Sequence, residues 1–169
     1  MNHNHKHKGV YEISWSKFGS MCKELALEIN KEFQPDCIIG ISKGGLPLAT
    51  VIASIFRVNL YPIRLSYREK DRIIHSTPRW SVPVTEKVKG KKVLLVDDIS
   101  VSGETLKIAK EKLLKSGANE VKTTTLSVHS KSKKPDFYVL NTDALIIHPW
   151  DKWVLKNGKF AFHPEYKQR

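Results

Sequence analysis

The sequence predicts an α/β fold in which a doubly wound, mostly parallel sheet is followed by a small C-terminal hairpin. Three observations point there. Apolar runs of strand length alternate with amphipathic segments of helix length along most of the chain, the order of repeated βαβ units. One run, Val93-Leu94-Leu95-Val96, is apolar at every position, as in a strand covered on both faces. Towards the end, Asn157-Gly158 separates Trp153-Val154-Leu155-Lys156 from Lys159-Phe160-Ala161-Phe162, a two-residue hairpin turn between apolar flanks.

The elements follow in order. Met1 to Lys8 alternates histidine with other polar residues and offers nothing to a core. Residues 1–9 therefore read as a disordered tail or a purification tag, and residues 10–169 as a single domain. A short extended piece at Val10 to Ile13 leads to Ser14 or Ser16 as the cap of a helix. Its Phe18, Cys22, Leu25, Ile29 and Phe33 recur at helical spacing until Pro35 stops it. Asp36 to Ile41 is an apolar strand, Ser42-Lys43-Gly44-Gly45 a tight loop, and Leu46 to Phe56 a helix with Pro47 in its first turn, where proline is tolerated. Leu60 to Ser66 completes a βαβ unit with lengths suited to a parallel crossover. From Tyr67 to Pro83 the pattern becomes a long polar stretch around an isolated Trp80, of the kind that is functional or disordered. After Val93 to Val96 comes the amphipathic helix Glu104 to Lys115, with Gly117 suited to its C′ position. Val121 to Val128, Phe137 to Leu140 and Ala144 to His148 read as three further strands.

Function enters at Asp97-Asp98-Ile99-Ser100-Val101-Ser102-Gly103-Glu104-Thr105. Ligands of open α/β sheets bind at the carboxyl ends of strands. Here such an end delivers two carboxylates, acceptors for the vicinal hydroxyls of a sugar or for a hydrated magnesium ion. The small residues that follow, Ser100, Ser102, Gly103 and Thr105, put the backbone N–H groups of a helix start where an anion would sit. An ordinary strand–turn–helix capped by Asp98 or Ser102 would not need adjacent carboxylates, which repel one another. A side chain at Gly103 would be pressed against the anion.

The segment from Val93 to Thr105 resembles the phosphoribosyl-pyrophosphate (PRPP) signature of type I phosphoribosyltransferases. The resemblance implies that fold, transfer of the phosphoribosyl group to a nucleobase with release of pyrophosphate, and Mg2+ as cofactor. Position by position it gives Asp97 and Asp98 the ribose hydroxyls, Asp98 the metal, and Val101, Ser102, Gly103, Glu104 and Thr105 the 5-phosphate. Ser42-Lys43-Gly44 resembles the family's pyrophosphate loop, which often holds a non-proline cis peptide, here Ser42–Lys43. Asp97, Asp98 and Lys43 are thus the expected catalytic residues. Ser66-Tyr67-Arg68 resembles the flexible lid that excludes water from the reacting sugar. Arg68, Lys70, Arg72 and Arg79 of the same stretch could neutralise the leaving pyrophosphate.

Leu145-Ile146-Ile147-His148-Pro149-Trp150-Asp151 resembles the base-recognition segment of the xanthine-guanine and archaeal-type purine phosphoribosyltransferases. Leu145 replaces a stacking aromatic residue, and Ile146 offers main-chain groups to a purine edge. His129 aligns near a lysine that contacts the purine O6 in relatives, so His129, Leu145, Ile146 and Trp150 are the expected base-binding residues. A strand-end histidine is also a common structural feature. Val101 stands where many hypoxanthine-guanine enzymes carry an aspartate that acts as general base.

Bulk properties bound the rest. A formal net charge of +12 steers polyanions such as PRPP and would attract nucleic acid equally. Cys22 and Cys37 lie in apolar patterns, as small buried hydrophobes of a reducing compartment do; a disulfide is possible but unsupported. No apolar run is long enough to span a bilayer and no secretory leader is evident, so a cytoplasmic location without a membrane partner is expected. The expected activity is transfer to a 6-oxopurine, as in purine salvage, by a homo-oligomer. Two alternatives stay open: a non-purine acceptor, or a PRPP or nucleotide sensor that binds RNA. Nucleic acid is otherwise not an expected partner, because two carboxylates repel phosphodiesters. The C-terminal hairpin has three candidate roles: covering the core, capping the active site or building a dimer contact.

Overall fold

A computed structural model describes residues 8–66, 68–69, 72–73 and 79–166. The first half runs β1 (Val10–Glu12), α1 (Trp15–Glu32), β2 (Cys37–Ile41), α2 (Gly45–Phe56) and β3 (Asn59–Ser66). Ser14, not Ser16, caps α1, its Oγ accepting the Lys17 N–H at 3.1 Å. The helix buries Phe18, Met21, Cys22, Leu25, Ala26 and Ile29 along one stripe and ends at Phe33, just before Pro35. A two-residue pair, β4 (Arg68–Glu69) and β5 (Arg72–Ile73), and the strand β6 (Arg79–Val82) come next. The second half runs β7 (Lys92–Ser100), α3 (Glu104–Lys115), β8 (Glu120–Val128), β9 (Phe137–Asn141), β10 (Leu145–Ile147), β11 (Trp153–Lys156) and β12 (Lys159–Phe162).

Six strands form the main sheet in the order β6-β3-β2-β7-β8-β9, and every neighbour pair is parallel except β3 with β6. Successive residues of β7 feed opposite layers. Leu94 and Val96 pack with Ile38 and with α1 and α2 in one core, and Val93 and Leu95 pack with Ile39, Ile63 and α3 in the other. All four are fully buried, each contributing about 1.5–3 kcal/mol by leaving water. Helices on both faces make the sheet doubly wound, as the all-apolar run predicts. Gly117 takes φ +94° just past the Ser116 C-cap of α3.

Three features differ from the sequence expectation. The stretch before Pro83 is not wholly irregular: β6 adds an antiparallel edge to β3, Leu65 facing Trp80, and the Trp80 ring leans on the α3-side core. Prolines flanking it in the sequence mask this strand, yet proline is tolerated at the ends of an edge strand. The strand β10 does not join the main sheet but pairs in parallel with β1, Val10 facing Leu145. Finally, β7 runs on through both aspartates to Ser100, because β8 continues beside it and Asp97 pairs with Thr125 and Ser100 with Val128. The acids therefore stand in a strand and not in a turn. The C-terminal hairpin forms as predicted, with Asn157 at φ +51° and Gly158 at φ +74°, both in the left-handed region that a type I′ turn requires.

Candidate active site

Chain order reverses between β2 and β7: β2 leads outwards to β3, whereas β7 leads the other way to β8 and β9. Loops leaving the sheet on either side of such a reversal open a crevice at the carboxyl ends of the strands. Ser42 to Gly45 leaves from β2 and Val101 to Gly103 from β7, so sequence segments far apart meet there.

The two loops touch through the acids. The Ser42–Lys43 peptide is cis, as the resemblance implied. Ser42 N–H and Oγ both donate to the Ile63 carbonyl, at 2.8 and 3.1 Å, anchoring the loop to β3 and leaving Lys43 exposed. A Cβ on Gly44 would fall 2.7 Å from Cγ of Asp98, and one on Gly45 would fall 2.7 Å from Cα of Asp97. Glycines are required here because the loop lies directly on the carboxylates. Asp98 N–H donates to Asp97 Oδ1 at 3.0 Å, and Ile99 N–H donates to Asp98 Oδ1 at 2.8 Å, so each acid has one oxygen tied to the backbone. Burial first, and the neighbouring Asp98 charge second, raise the Asp97 carboxyl well above the usual aspartate range.

Beyond the acids, Gly103 opens α3 at φ +83°. Ser102 Oγ accepts the Glu104 N–H at 3.3 Å, and Glu104 is drawn aside to Lys107 at 3.9 Å. The remaining N–H groups of the first turn lack intrahelical acceptors, as at any helix start, and so suit an anion. One expectation is corrected. A side chain at Gly103 would meet the Lys133 carbonyl, 2.7 Å from the ideal Cβ, and not an anion in the loop.

The residues expected to bind the base divide. Leu145 N–H donates to Gly9 O and Ile13 N–H donates to Ile147 O, both at 2.9 Å, so the odd residues of β10 make the ladder to β1. By the alternation of a parallel pair, the N–H and C=O of the buried Ile146 face away from β1, on the side where β10 has no strand partner among the described residues. Leu145 is half-buried at the start of that strand. His129 is buried at the end of β8, its N–H donating to the Ser100 carbonyl at 2.9 Å. Trp150 is turned onto α1, in an edge-to-face pair with Phe18 at 5.0 Å and with one face stacked on His148 at 4.6 Å, so it packs and supports the segment. Of the three residues expected to form a lid, Tyr67 lies outside the described residues; the Ser66 backbone ends β3 and the Arg68 backbone begins β4.

Two residues of the site escape sequence reasoning. Ser132 Oγ lies 2.7 Å from Ser100 Oγ, and no pattern in its lysine-rich loop marks it. His148 Nδ1 stands 4.0 Å from Asp98 Oδ2, and its Nε2 is buried with no hydrogen-bond partner among the described residues. Burial lowers the pKa of its imidazole, against the opposing pull of Asp98 and Asp151. A polar residue closing the apolar run Leu145-Ile146-Ile147 was the available signal for His148.

Among the described residues no cluster of three or more His, Cys, Asp or Glu is arranged to hold a metal ion. No helix among them is long and apolar enough to cross a membrane.

Residues 14–158 match the family described as the phosphoribosyl transferase domain. The chain belongs to the type I phosphoribosyltransferase family. It is similar to the crystal structure of a purine phosphoribosyltransferase from Pyrococcus horikoshii, 29% identical with a TM-score of 0.75 over 88% of this chain and 98% of that one. Orotate phosphoribosyltransferase of Methanocorpusculum labreanum is 31% identical over 98 residues, 58% of this chain and 53% of that protein. A transcriptional regulator of Methanosphaera stadtmanae is 28% identical over 128 residues, 69% of this chain and 61% of that protein. The chain thus spans little more than half the length of these sequence relatives.

Proposed function

We propose that this phosphoribosyltransferase moves the 5-phosphoribosyl group of PRPP to a nucleobase, a 6-oxopurine as in purine salvage, and releases pyrophosphate. The observation that carries the reading is the seating of the Ser42–Gly45 loop on Asp97 and Asp98, beside the Gly103 helix start, at the reversal between β2 and β7. Three anion or hydroxyl sites in that order fit pyrophosphate, ribose and 5-phosphate. Asp97 and Asp98 fix the ribose, Val101 to Thr105 hold the 5-phosphate, and Lys43 meets the pyrophosphate as a point charge. Catalysis is then chiefly positioning and stabilisation of charge. The base lies along the edge of Ile146 that has no strand partner, close to the acids because His148 of the same segment stands 4.0 Å from Asp98. An edge of one donor and one acceptor suits a ring with an adjacent carbonyl and N–H, which a 6-oxopurine has. The likeness to the Pyrococcus horikoshii purine enzyme along 88% of the chain supports the same choice.

Magnesium fits the donor set. It favours one or two carboxylates, waters and substrate phosphates over an all-protein cage, and Asp98 keeps one carboxylate oxygen free of backbone bonds. Asp98 would hold it, and bound there it would offset the charge on the pyrophosphate. The same proposal takes residues 10–169 as one domain acting as a homo-oligomer in the cytoplasm, where two free buried thiols are at home.

The test is pyrophosphate release from Mg-PRPP across guanine, hypoxanthine, xanthine, adenine, uracil and orotate, with Asp98→Asn and a no-base sample as controls. Release with a 6-oxopurine that Asp98→Asn abolishes is expected. Release with orotate alone would move the acceptor to pyrimidines. A second reading, a PRPP-responsive regulator, draws on the +12 charge and the likeness to the Methanosphaera stadtmanae regulator. Silence with every base, together with RNA binding that PRPP alters, would favour it.

A further inference from the structure

His148 follows the last residue of β10 and precedes Pro149, which biases its backbone towards the extended region, and Asp151 N–H returns to its carbonyl at 3.2 Å. The residue is only 5% exposed. Its ring lies almost flat on that of Trp150, 16° from parallel at 4.6 Å, and Trp150 is itself held against Phe18 of α1. Stacking therefore fixes the plane of the imidazole. A phenylalanine would serve that packing as well, so the ring nitrogens need another explanation. Burying a polar atom without a hydrogen bond is unfavourable, and Nε2 is buried with no such partner among the described residues. Nδ1 faces Oδ2 of Asp98 at 4.0 Å. That oxygen has no backbone donor among the described residues, since Ile99 N–H holds Oδ1, and it is the atom nearest to a side chain built on Gly44.

We propose that His148 is a positioning residue for the reaction: its Nδ1–H sets the rotation of the Asp98 carboxylate and so ties the segment after β10 to the acid that meets the ribose. The inference rests on the role given to Asp98 in the proposed function. A carboxylate beside Nδ1 favours the tautomer that carries its proton there, which leaves Nε2 as an acceptor. At 4.0 Å the pair is too far apart for a hydrogen bond. A turn of the carboxylate about its tied oxygen, moving Oδ2 by roughly 1 Å, closes the gap to the ~2.7–2.9 Å of a charge-assisted bond. Bonds that matter to a reaction often reach full contact only with substrate in place. Oδ2 has two lone pairs, so one can take the imidazole N–H while the other stays for a ribose hydroxyl or a metal ion.

The experiment is calorimetric titration of Mg-PRPP into the full chain with no base present, beside thermal melts of each protein. His148→Phe keeps a flat ring on Trp150 and removes both nitrogens; His148→Asn gives up the stack but sets an amide N–H near the place of Nδ1. The two roles of the residue thus predict opposite orders. His148→Phe should keep the melting temperature and bind Mg-PRPP about 10-fold more weakly, the scale of a lost hydrogen bond to a charged group. His148→Asn should melt lower and bind close to wild type. Asp98→Ala should weaken binding too, and adding His148→Phe to it should cost nothing further, because an effect carried through Asp98 cannot be lost twice. A His148→Phe chain that binds like wild type, or a His148→Asn chain that binds no better than His148→Phe, would overturn the inference. So would additive losses in the Asp98→Ala background. A wild type that ignores Mg-PRPP, or an Asp98→Ala chain that binds as well as wild type, would instead remove the reading of the site, and the inference with it.

Discussion

The hydroxyls of Ser100, at the end of β7, and Ser132, in the loop after β8, meet at 2.7 Å in a buried contact between residues 32 apart in sequence. Around it, Lys133 N–H donates to the Ser102 carbonyl at 3.3 Å and His129 N–H donates to that of Ser100 at 2.9 Å. The loop proposed to hold phosphate is therefore braced along one side by the loop that follows β8. Ser132→Ala should cost about 1–3 kcal/mol, the penalty of a buried hydroxyl left without its partner. Ser100→Ala with Ser132→Ala should cost less than the sum of the two single changes, since neither hydroxyl is then stranded. Urea melts of the four proteins measure this, and strict additivity would mean that the contact is energetically idle. Ser132→Ala should also raise KM for PRPP more than it lowers kcat.

Gly44→Ala tests the seating of the first loop. The added methyl would lie 2.7 Å from Cγ of Asp98, so either the loop or the carboxylate must move. Displacement of a reacting group by about 1 Å costs on the order of 100-fold in rate, and kcat/KM should fall by about that much while the melting temperature changes little. Unaltered kinetics would show that the loop and the acid act independently.

Gly103→Ala should act on stability instead. Its φ of +83° is unfavourable for an L side chain, and the Lys133 carbonyl occupies the space. A loss of about 1–2 kcal/mol in denaturant melts is expected. If stability held while PRPP affinity alone fell, the sequence-based picture of a side chain facing the anion would be restored.

Asp136 gives a pH dependence. Burial pushes its carboxyl up, but the hydroxyl and N–H of Thr123, at 2.8 and 2.7 Å, with Lys110 and Lys122, outweigh burial and hold the pKa below the usual aspartate value. A carboxyl with a depressed folded pKa stabilises the fold above its unfolded pKa of about 4 and loses that contribution as pH falls through the folded value. Asp136→Ala should therefore lie on the order of 1 kcal/mol below the parent at neutral pH, and the gap should close in acid. A gap that persists unchanged in acid would contradict the ion-pair account.

The thiols should be silent in the native state. Cys22 is wholly buried and its pKa is pushed up to about 12 by burial; burial, then Asp36, also raises Cys37 against the opposing effect of Lys91. An aromatic disulfide reagent at mildly alkaline pH should modify neither cysteine until denaturant is added, and both thereafter. Rapid native reaction would place one of them at the surface.

Which parts were readable from sequence follows from how local their causes are. The α1 stripe, the buried β7 run, the α3 boundaries and the Asn157-Gly158 turn each depend on neighbouring residues, and each formed as expected. The strand β6 and the pairing of β10 with β1 depend on partners far along the chain, Leu65 for Trp80 and Val10 for Leu145, which no local period announces, although β10 itself reads as a strand. The candidate site divides the same way. Asp97, Asp98 and the glycines announce themselves by composition, whereas Ser132 and His148 matter only because the fold sets them beside Ser100 and Asp98.

The strand β7 has one more consequence. Its residues face both cores, and its end carries the acids, so opening this strand along its length disrupts both cores and the crevice together. Whatever grips Asp97 and Asp98 must be released before the whole molecule comes apart. Occupancy is therefore converted into resistance to heat and proteolysis in proportion to RT ln(1 + [L]/Kd), and the lifetime of this protein in a cell would track the supply of the molecule it binds.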